Sequence, residues 1–249
     1  MQQPKLLEVA CFSLTGVIAA AAAGANRIEL CQNPHAGGTT PSYGLLKGAR
    51  HATTLPIFPI IRPREGDFLY TDAEFDMMKA EVLLCKSMQF EGLVLGLLLP
   101  NGDIDTHRTG KLVDLAYPME VTFHRAFDRC RNPLSAIQEL VALGCSRVLT
   151  SGQKPTAYAG MALIKQLVEL VGDQLVVMPG GGINANQILE LMAATGANEY
   201  HGAFRKTVLS KMAFDIPELD EPLTYTSVNA DEIKLMLQHL NNHQPANLS

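Results

Sequence analysis

Eight short runs rich in β-branched and apolar residues alternate along the chain with helix-patterned stretches, and no other feature narrows the possible folds as much. The predicted strands cover residues 6–12, 27–31, 57–64, 92–99, 120–127, 147–152, 174–181 and 199–204. The spacing predicts helices between them over 13–23, 41–53, 72–89, 106–116, 133–143, 155–171 and 184–195. A strand, a covering helix and a second strand form a βαβ unit, and a series of such units makes a parallel sheet sheathed by helices. Eight units in 249 residues match the length of a closed (β/α)8 TIM barrel. An open dinucleotide-binding sheet would carry G-x-G-x-x-G after its first strand, and that motif is missing. The expectation is a single TIM-barrel domain over 1–249, with an irregular loop over 205–230 and a last helix over 231–240.

Local signals agree with this parse. Ser13, Asp72 and Asn184 stand where N-caps are wanted, and Pro133 stands in a first turn. A weak repeat reads Gly24-Ala25-Asn26-Arg27, Gly144-Cys145-Ser146-Arg147 and Gly196-Ala197-Asn198-Glu199, each a helix closed by a left-handed glycine that turns straight into a strand.

Composition removes several classes of function. With 47% apolar and 18% charged residues the chain has the makeup of a globular domain, and a net charge of −5 with no basic block gives no footprint for nucleic acid. The five cysteines include no C-x-x-C pair, which argues against a zinc ribbon or thioredoxin-type site and for a reducing, cytoplasmic setting. The alanine-rich run over 14–25 reads as a helix rather than a secretory core, because Glu8 interrupts the apolar stretch and Lys5 is the only early cation. No run has the ~18 uncharged apolar residues of a membrane span, so a small-molecule or metal ligand is expected.

Strand alternation then nominates a pocket, since residues two apart share a face. In the first strand Glu8 and Ala10 face one way and Leu7, Val9 and Cys11 the other, toward the helices. Glu29 and Cys31 share a face of the second strand. Arg62, His124 and His201 stand at the corresponding inward positions of the third, fifth and eighth. Polar residues at the carboxyl ends of barrel strands line the usual active-site face, so Glu8, Glu29, Arg62, His124 and His201 are the candidate catalytic set. Buried charges cost several kcal/mol unless paired, about 3–5 when a partner is missing, so stability alone gives little reason to keep such a set. Gly180, Gly181 and Gly182, before a predicted helix start, are candidates to bind an anion together with Arg62, Thr150 and Ser151. P-loop, G-x-S-x-G and H-E-x-x-H motifs are missing, no lysine falls on a strand to form a Schiff base, and His239 and His243 sit in a polar tail.

Several longer segments carry a resemblance. Leu7-Glu8-Val9, the run from Gly24 to Cys31, Gly37-Gly38-Thr39-Thr40-Pro41-Ser42, Ile61-Arg62-Pro63-Arg64 with Gly66-Asp67-Phe68, the run from Thr122 to Asp128, and Val148-Leu149-Thr150-Ser151-Gly152 resemble, in order and spacing, the CutC family, named for copper homeostasis. The resemblance runs from about residue 5 to His201. It implies a cytoplasmic barrel that forms a homo-oligomer, dimer or tetramer, and is associated with copper binding or copper tolerance. Two positions depart from the family pattern. Ala10 stands where many members have cysteine, with Cys11 one place later on the other face, and Gly202-Ala203 stand where members tend to have serines.

Two functions remain open at this point. One is copper handling, with copper(I) held by Cys31 as the metal ligand and His124, His201 or Met178 as partners, since Cu(I) prefers soft donors. The other is an enzyme or binder for a small anionic metabolite, phosphorylated ones included. There Arg62 and the glycine turn would hold the anion, and His124 or Glu29 would move protons. No reaction is assigned.

Overall fold

The structure is a computed structural model that describes residues 5–242, so His243 lies outside the described residues. Strand β1 (Leu6–Cys11) pairs in parallel with β2 (Arg27–Leu30) and β8 (Glu199–Gly202), and β2 pairs with β3 (Ile57–Pro59). A second parallel run orders β4 (Gly92–Leu95), β5 (Glu120–Phe123), β6 (Arg147–Thr150) and β7 (Val176–Pro179). Two parallel bridges, Ile60 with Val94 and Gly180 with His201, join the runs. Every strand therefore has two neighbours, and the sheet closes into the eight-stranded barrel that the alternation predicts.

Helices α1 (Leu14–Ala23), α2 (Tyr43–Ala52), α3 (Asp72–Ser87), α4 (Thr106–Ala116), α5 (Pro133–Ala142), α6 (Met161–Val171), α7 (Ile188–Thr195) and α8 (Ala230–Asn242) complete the α/β fold. Leu7, Val9 and Cys11 of β1 are fully buried in the outer core with Val17 and Ala20 of α1. Burying an aliphatic side chain of this size is worth about 1.5–3 kcal/mol, so this layer holds helices to barrel. A smaller cluster of Cys31, Phe58, Ile60 and Val94 fills part of the interior. Among the described residues no helix is long and apolar enough to cross a membrane.

Several boundaries differ from expectation for identifiable reasons. The strands stop earlier because their carboxyl ends leave the ladder for loop contacts, such as Thr40 N–H to the Arg62 carbonyl at 3.0 Å. Thr71, not Asp72, caps α3, since its hydroxyl accepts from Glu74 N while Glu74 reaches back to Thr71 N. Helix α6 starts at Met161 and α7 at Ile188. Asn184 does not cap α7, because its side chain accepts from Asn186 N and donates to Gln187. The 205–230 stretch is not an irregular loop throughout. It holds an antiparallel pair, β9 (Arg205–Leu209) and β10 (Thr224–Val228), and the last helix extends over Ala230–Asn242 rather than 231–240.

The repeat has a structural meaning. Gly24, Gly144 and Gly196 take φ of 95°, 79° and 70°. The fourth repeat position then opens β2, β6 and β8, and it places Arg27, Arg147 and Glu199 inside the barrel. Arg27 meets Glu8 and Glu199 at 2.5 Å each, and Arg147 meets Glu199 at 3.0 Å and Glu120 at 2.7 Å. Both guanidinium groups lie over the Phe58 ring, at 5.0 and 5.2 Å. This ionic layer forms the floor on which the mouth of the barrel is built.

Candidate functional site at the barrel mouth

The carboxyl ends of the strands open on a cavity of about 380 Å³, and Glu29, Arg62, His124 and His201 all line it. Glu8 lies beneath, wholly buried, with its Oε1 2.8 Å from His201 Nδ1. The register accounts for this, because Glu8 of β1 stands opposite Arg27 in β2 and His201 in β8. Burial works to raise the Glu8 carboxyl, but Arg27 and then His201 outweigh it and hold the group at about 2.

Glu29 has no guanidinium paired with it among the described residues. Burial raises its carboxyl, helped by the Glu8 charge and opposed by His201, whose Nε2 stands 3.6 Å from Glu29 Oε2, and more weakly by the Cys31 thiol and the Arg205 charge. Burial acts to lower the His201 imidazole, but Glu29 and Glu8 together raise it. His201 is therefore bracketed by two carboxyl groups, the deeper of which is firmly ionised.

His124 has the opposite character. Its Nδ1 accepts the Ala126 N–H at 3.2 Å, which places the ring proton on Nε2. Burial and then the Arg62 charge push its pKa down to about 3, so the ring is neutral near pH 7. The buried Nε2–H has no hydrogen-bond partner among the described residues. Glycine at position 96 makes room for this ring, since a Cβ there would come within 2.5 Å of Nδ1.

Arg62 is largely committed to its own loops. Nη1 donates to the carbonyls of Ala36 and Gly38 at 2.7 and 2.9 Å, Nη2 donates to Gly66 at 3.1 Å, and the Phe68 ring lies 4.9 Å away. Nε is buried, with no hydrogen-bond partner within ordinary distance among the described residues, and the guanidinium acts on the Tyr70 hydroxyl. Thr150 and Ser151 are also occupied, and neither lines the cavity. The Asp128 carboxylate accepts from Thr150 Oγ1 at 2.6 Å, Ser151 Oγ at 2.9 Å, Ser151 N at 3.0 Å and Gln153 N at 3.2 Å. An internal carboxylate thus fills the place where an external anion was expected.

Gly181 and Gly182 line the cavity, whereas Gly180 lies against His201. Because α7 begins only at Ile188, no helix N-terminus points at this turn. Gly181, at φ 108°, instead lets Arg125 approach, with Nη1 3.3 Å from where a Cβ would stand.

Cys31 does not line the cavity. It is 1% exposed, packed against Phe58, Ile60 and Val94, and burial followed by the Glu29 charge drives its thiol well above the ordinary 9.0. The partners expected for it are committed elsewhere. Met178 Sδ accepts from Arg27 Nη2 at 3.3 Å, His201 sits between carboxyl groups, and His124 offers a proton rather than a lone pair. Among the described residues no three His, Cys, Asp or Glu side chains group as a metal site. This donor set does not fit Cu(I), which asks for available soft ligands. Ala10 does line the cavity and Cys11 packs in the outer core, as the register predicts.

Strand reading missed two cations. Arg125 falls in a 3₁₀ turn over Arg125–Arg129 instead of a strand, and this brings it over the cavity with Nε 2.7 Å from Asp128 and Nη2 2.7 Å from Ser151 Oγ. Arg205 opens β9. It lies 4.8 Å over the Phe12 ring and makes no hydrogen bond or ion pair with the described residues. The His-Arg-Ala-Phe-Asp segment was a signal for the first, and nothing in the sequence pointed to the second.

Comparison with known proteins bears on this architecture. The family model described as CutC family matches residues 5–206. The chain belongs to the CutC family. A CutC family protein of Chromobacterium violaceum is 49% identical over 210 residues, covering 84% of this chain and 85% of that one. The structure of CutC from Streptococcus agalactiae, which carries a provisional copper-homeostasis name, superposes with a TM-score of 0.76 at 34% identity, covering 80% of this chain and 98% of its own. Thiamine phosphate pyrophosphorylase of Pyrococcus furiosus shares the fold, with a TM-score of 0.59 at 14% identity and 98% coverage of both chains. The CutC match ends just inside β9, so the rest of the β9–β10 pair lies outside it.

The Asp128 clasp depends on a close backbone approach. A Cβ on Gly160 would stand 1.9 Å from the Ser151 carbonyl oxygen, and Gly152, facing it, has φ 66°. Gly160→Ala is expected to cost about 1–3 kcal/mol, the range for overpacking, measured by urea denaturation. Unchanged stability would show that the loop yields freely.

Proposed function

We propose that this CutC family protein serves copper homeostasis at the family level, and that its barrel mouth takes a small anionic metabolite rather than a copper ion held by Cys31. The copper-homeostasis part rests on the provisional name of the Streptococcus agalactiae relative. The site reading rests on one observation. Four basic residues, Arg62, His124, Arg125 and Arg205, line one cavity to which, among the described residues, no thiol contributes. Donors of this kind bind carboxylate and phosphate oxygens. A cytoplasmic setting and a homo-oligomeric state complete the reading, as the family resemblance implies.

A thermal-shift screen of carboxylates and phosphate esters tests it. At a hundredfold excess over Kd a ligand adds about 2.7 kcal/mol, roughly 5–10 °C for a chain of this length. Arg205→Ala is expected to remove most of that shift, and no shift with any anion would overturn the reading. The copper side has its own test, anaerobic competition with a Cu(I) chelator. Cys31→Ser is expected to leave affinity unchanged, and a drop of about tenfold, or 1.4 kcal/mol, would restore Cys31 as a ligand.

A further inference from the structure

We propose that the cavity catalyses redox-neutral proton transfer at a carbon beside a carbonyl group, with Glu29 as the base and neutral His124 as the electrophile, on a substrate carrying a phosphate or a carboxylate. This inference rests on the anion-binding reading above. It begins from the division of labour between the two buried glutamates. Glu8 is tied to Arg27 at 2.5 Å and belongs to the ionic floor. Glu29 faces the cavity and, among the described residues, forms no ion pair with an arginine or lysine; His201 stands 3.6 Å from it, the Cys31 thiol hydrogen-bonds it, and the Arg205 charge acts on it from farther away. A buried carboxyl group left out of the ion-pair network beneath it contributes little to stability. Its residue, 5% exposed, borders the space a substrate would occupy.

The second component is His124, whose residue lines the same cavity and whose Nε2–H, buried with the Phe68 ring 4.9 Å from its own, has no hydrogen-bond partner among the described residues. A neutral imidazole donor placed where negative charge develops stabilises an enolate without surrendering its own proton. Arg205 and Arg125 would hold the anionic end of the substrate.

The step balances without a further reactant. The substrate C–H bond breaks and an O–H bond forms on Glu29. The electron pair of the broken C–H bond becomes the C=C bond of an enolate, and the carbonyl π pair moves onto the oxygen, which accepts a hydrogen bond from His124 Nε2–H. The proton on Glu29, or one exchanged from solvent in its place, then returns to the same carbon. His201, held by Glu8 on one side and facing Glu29 on the other, is the positioning residue that keeps the carboxyl group at the cavity edge. Nothing is oxidised or reduced.

The test uses two probes, hydroxyacetone phosphate and 2-oxobutyrate, which present the same carbonyl chemistry with a phosphate or a carboxylate. Binding is read by calorimetry, and exchange of the carbon-bound protons in D2O is read by NMR. Wild-type protein is expected to bind at least one probe and wash out its exchangeable C–H signal. Glu29→Gln, checked for folding by circular dichroism, is expected to bind within about threefold and exchange about 100-fold more slowly, the lower end for general-base loss. His124→Gln is expected to slow exchange by a similar factor. A probe that binds without exchanging overturns the proton-transfer proposal and leaves the anion reading intact. Exchange undiminished in Glu29→Gln overturns the assignment of the base. Failure of both probes to bind defeats the anion reading itself, and this proposal with it.

Discussion

Arg27→Met is expected to lower folding stability by about 3–5 kcal/mol, the cost of leaving a buried charge without its partner. Arg27 is 4% exposed and Glu8 0% exposed, so water cannot replace the lost guanidinium. The same pair sets an acid sensitivity. Glu8 is lowered from 4.5 to about 2, so its contribution is complete above pH 4.5 and disappears as the pH falls toward 2. A depression of that size is worth roughly 3 kcal/mol by linkage. His201 also faces Glu8, from β8, and Glu29 stands near it on β2. His201 acts on the carboxyl group as well, but Arg27 is the dominant attraction. Urea denaturation of wild type and Arg27→Met between pH 7 and pH 3 should show wild type losing most of its advantage over the variant. A variant as stable as wild type at pH 7 would mean that Glu8 takes up a proton at no cost.

Arg62→Ala is expected to cost about 3 kcal/mol, since hydrogen bonds from a charged group contribute roughly 1.5–3 kcal/mol each and water can replace some of them. The guanidinium joins the carbonyls of Ala36 and Gly38 to that of Gly66, so its loss separates the loops after β2 and β3. Lysine cannot make three bonds in that fork, and Arg62→Lys should recover less than half of the loss. Hydrogen exchange over 33–40 and 64–69 should rise in both variants. Unchanged protection there would show that Arg62 serves the ligand alone.

The barrel was legible in the sequence because its signal is global. Eight alternations and three closing glycines agree, and strand parity places Glu29, Arg62, His124 and His201 on the cavity and Cys11 outside it. Parity says which side a residue takes, and it says nothing about what already stands there. Thr150 and Ser151 face the right end of the barrel, yet Asp128, 22 residues from Thr150, reaches them first. Cys31 shares the face of Glu29 but is sealed beneath Ile60 and Phe58. Arg205 was invisible for a different reason. It belongs to a hairpin whose exposed strands carry no burial pattern, and only the closed fold brings its first residue over the mouth.

Isothermal titration of wild-type protein with hydroxyacetone phosphate and with 2-oxobutyrate, repeated on Arg205→Ala, tests the central claim most directly. The prediction is one site per chain for at least one of the two anions, weakened about tenfold or more, 1.4 kcal/mol, when the unpaired guanidinium is removed. Binding of neither anion, or binding indifferent to Arg205, would contradict it.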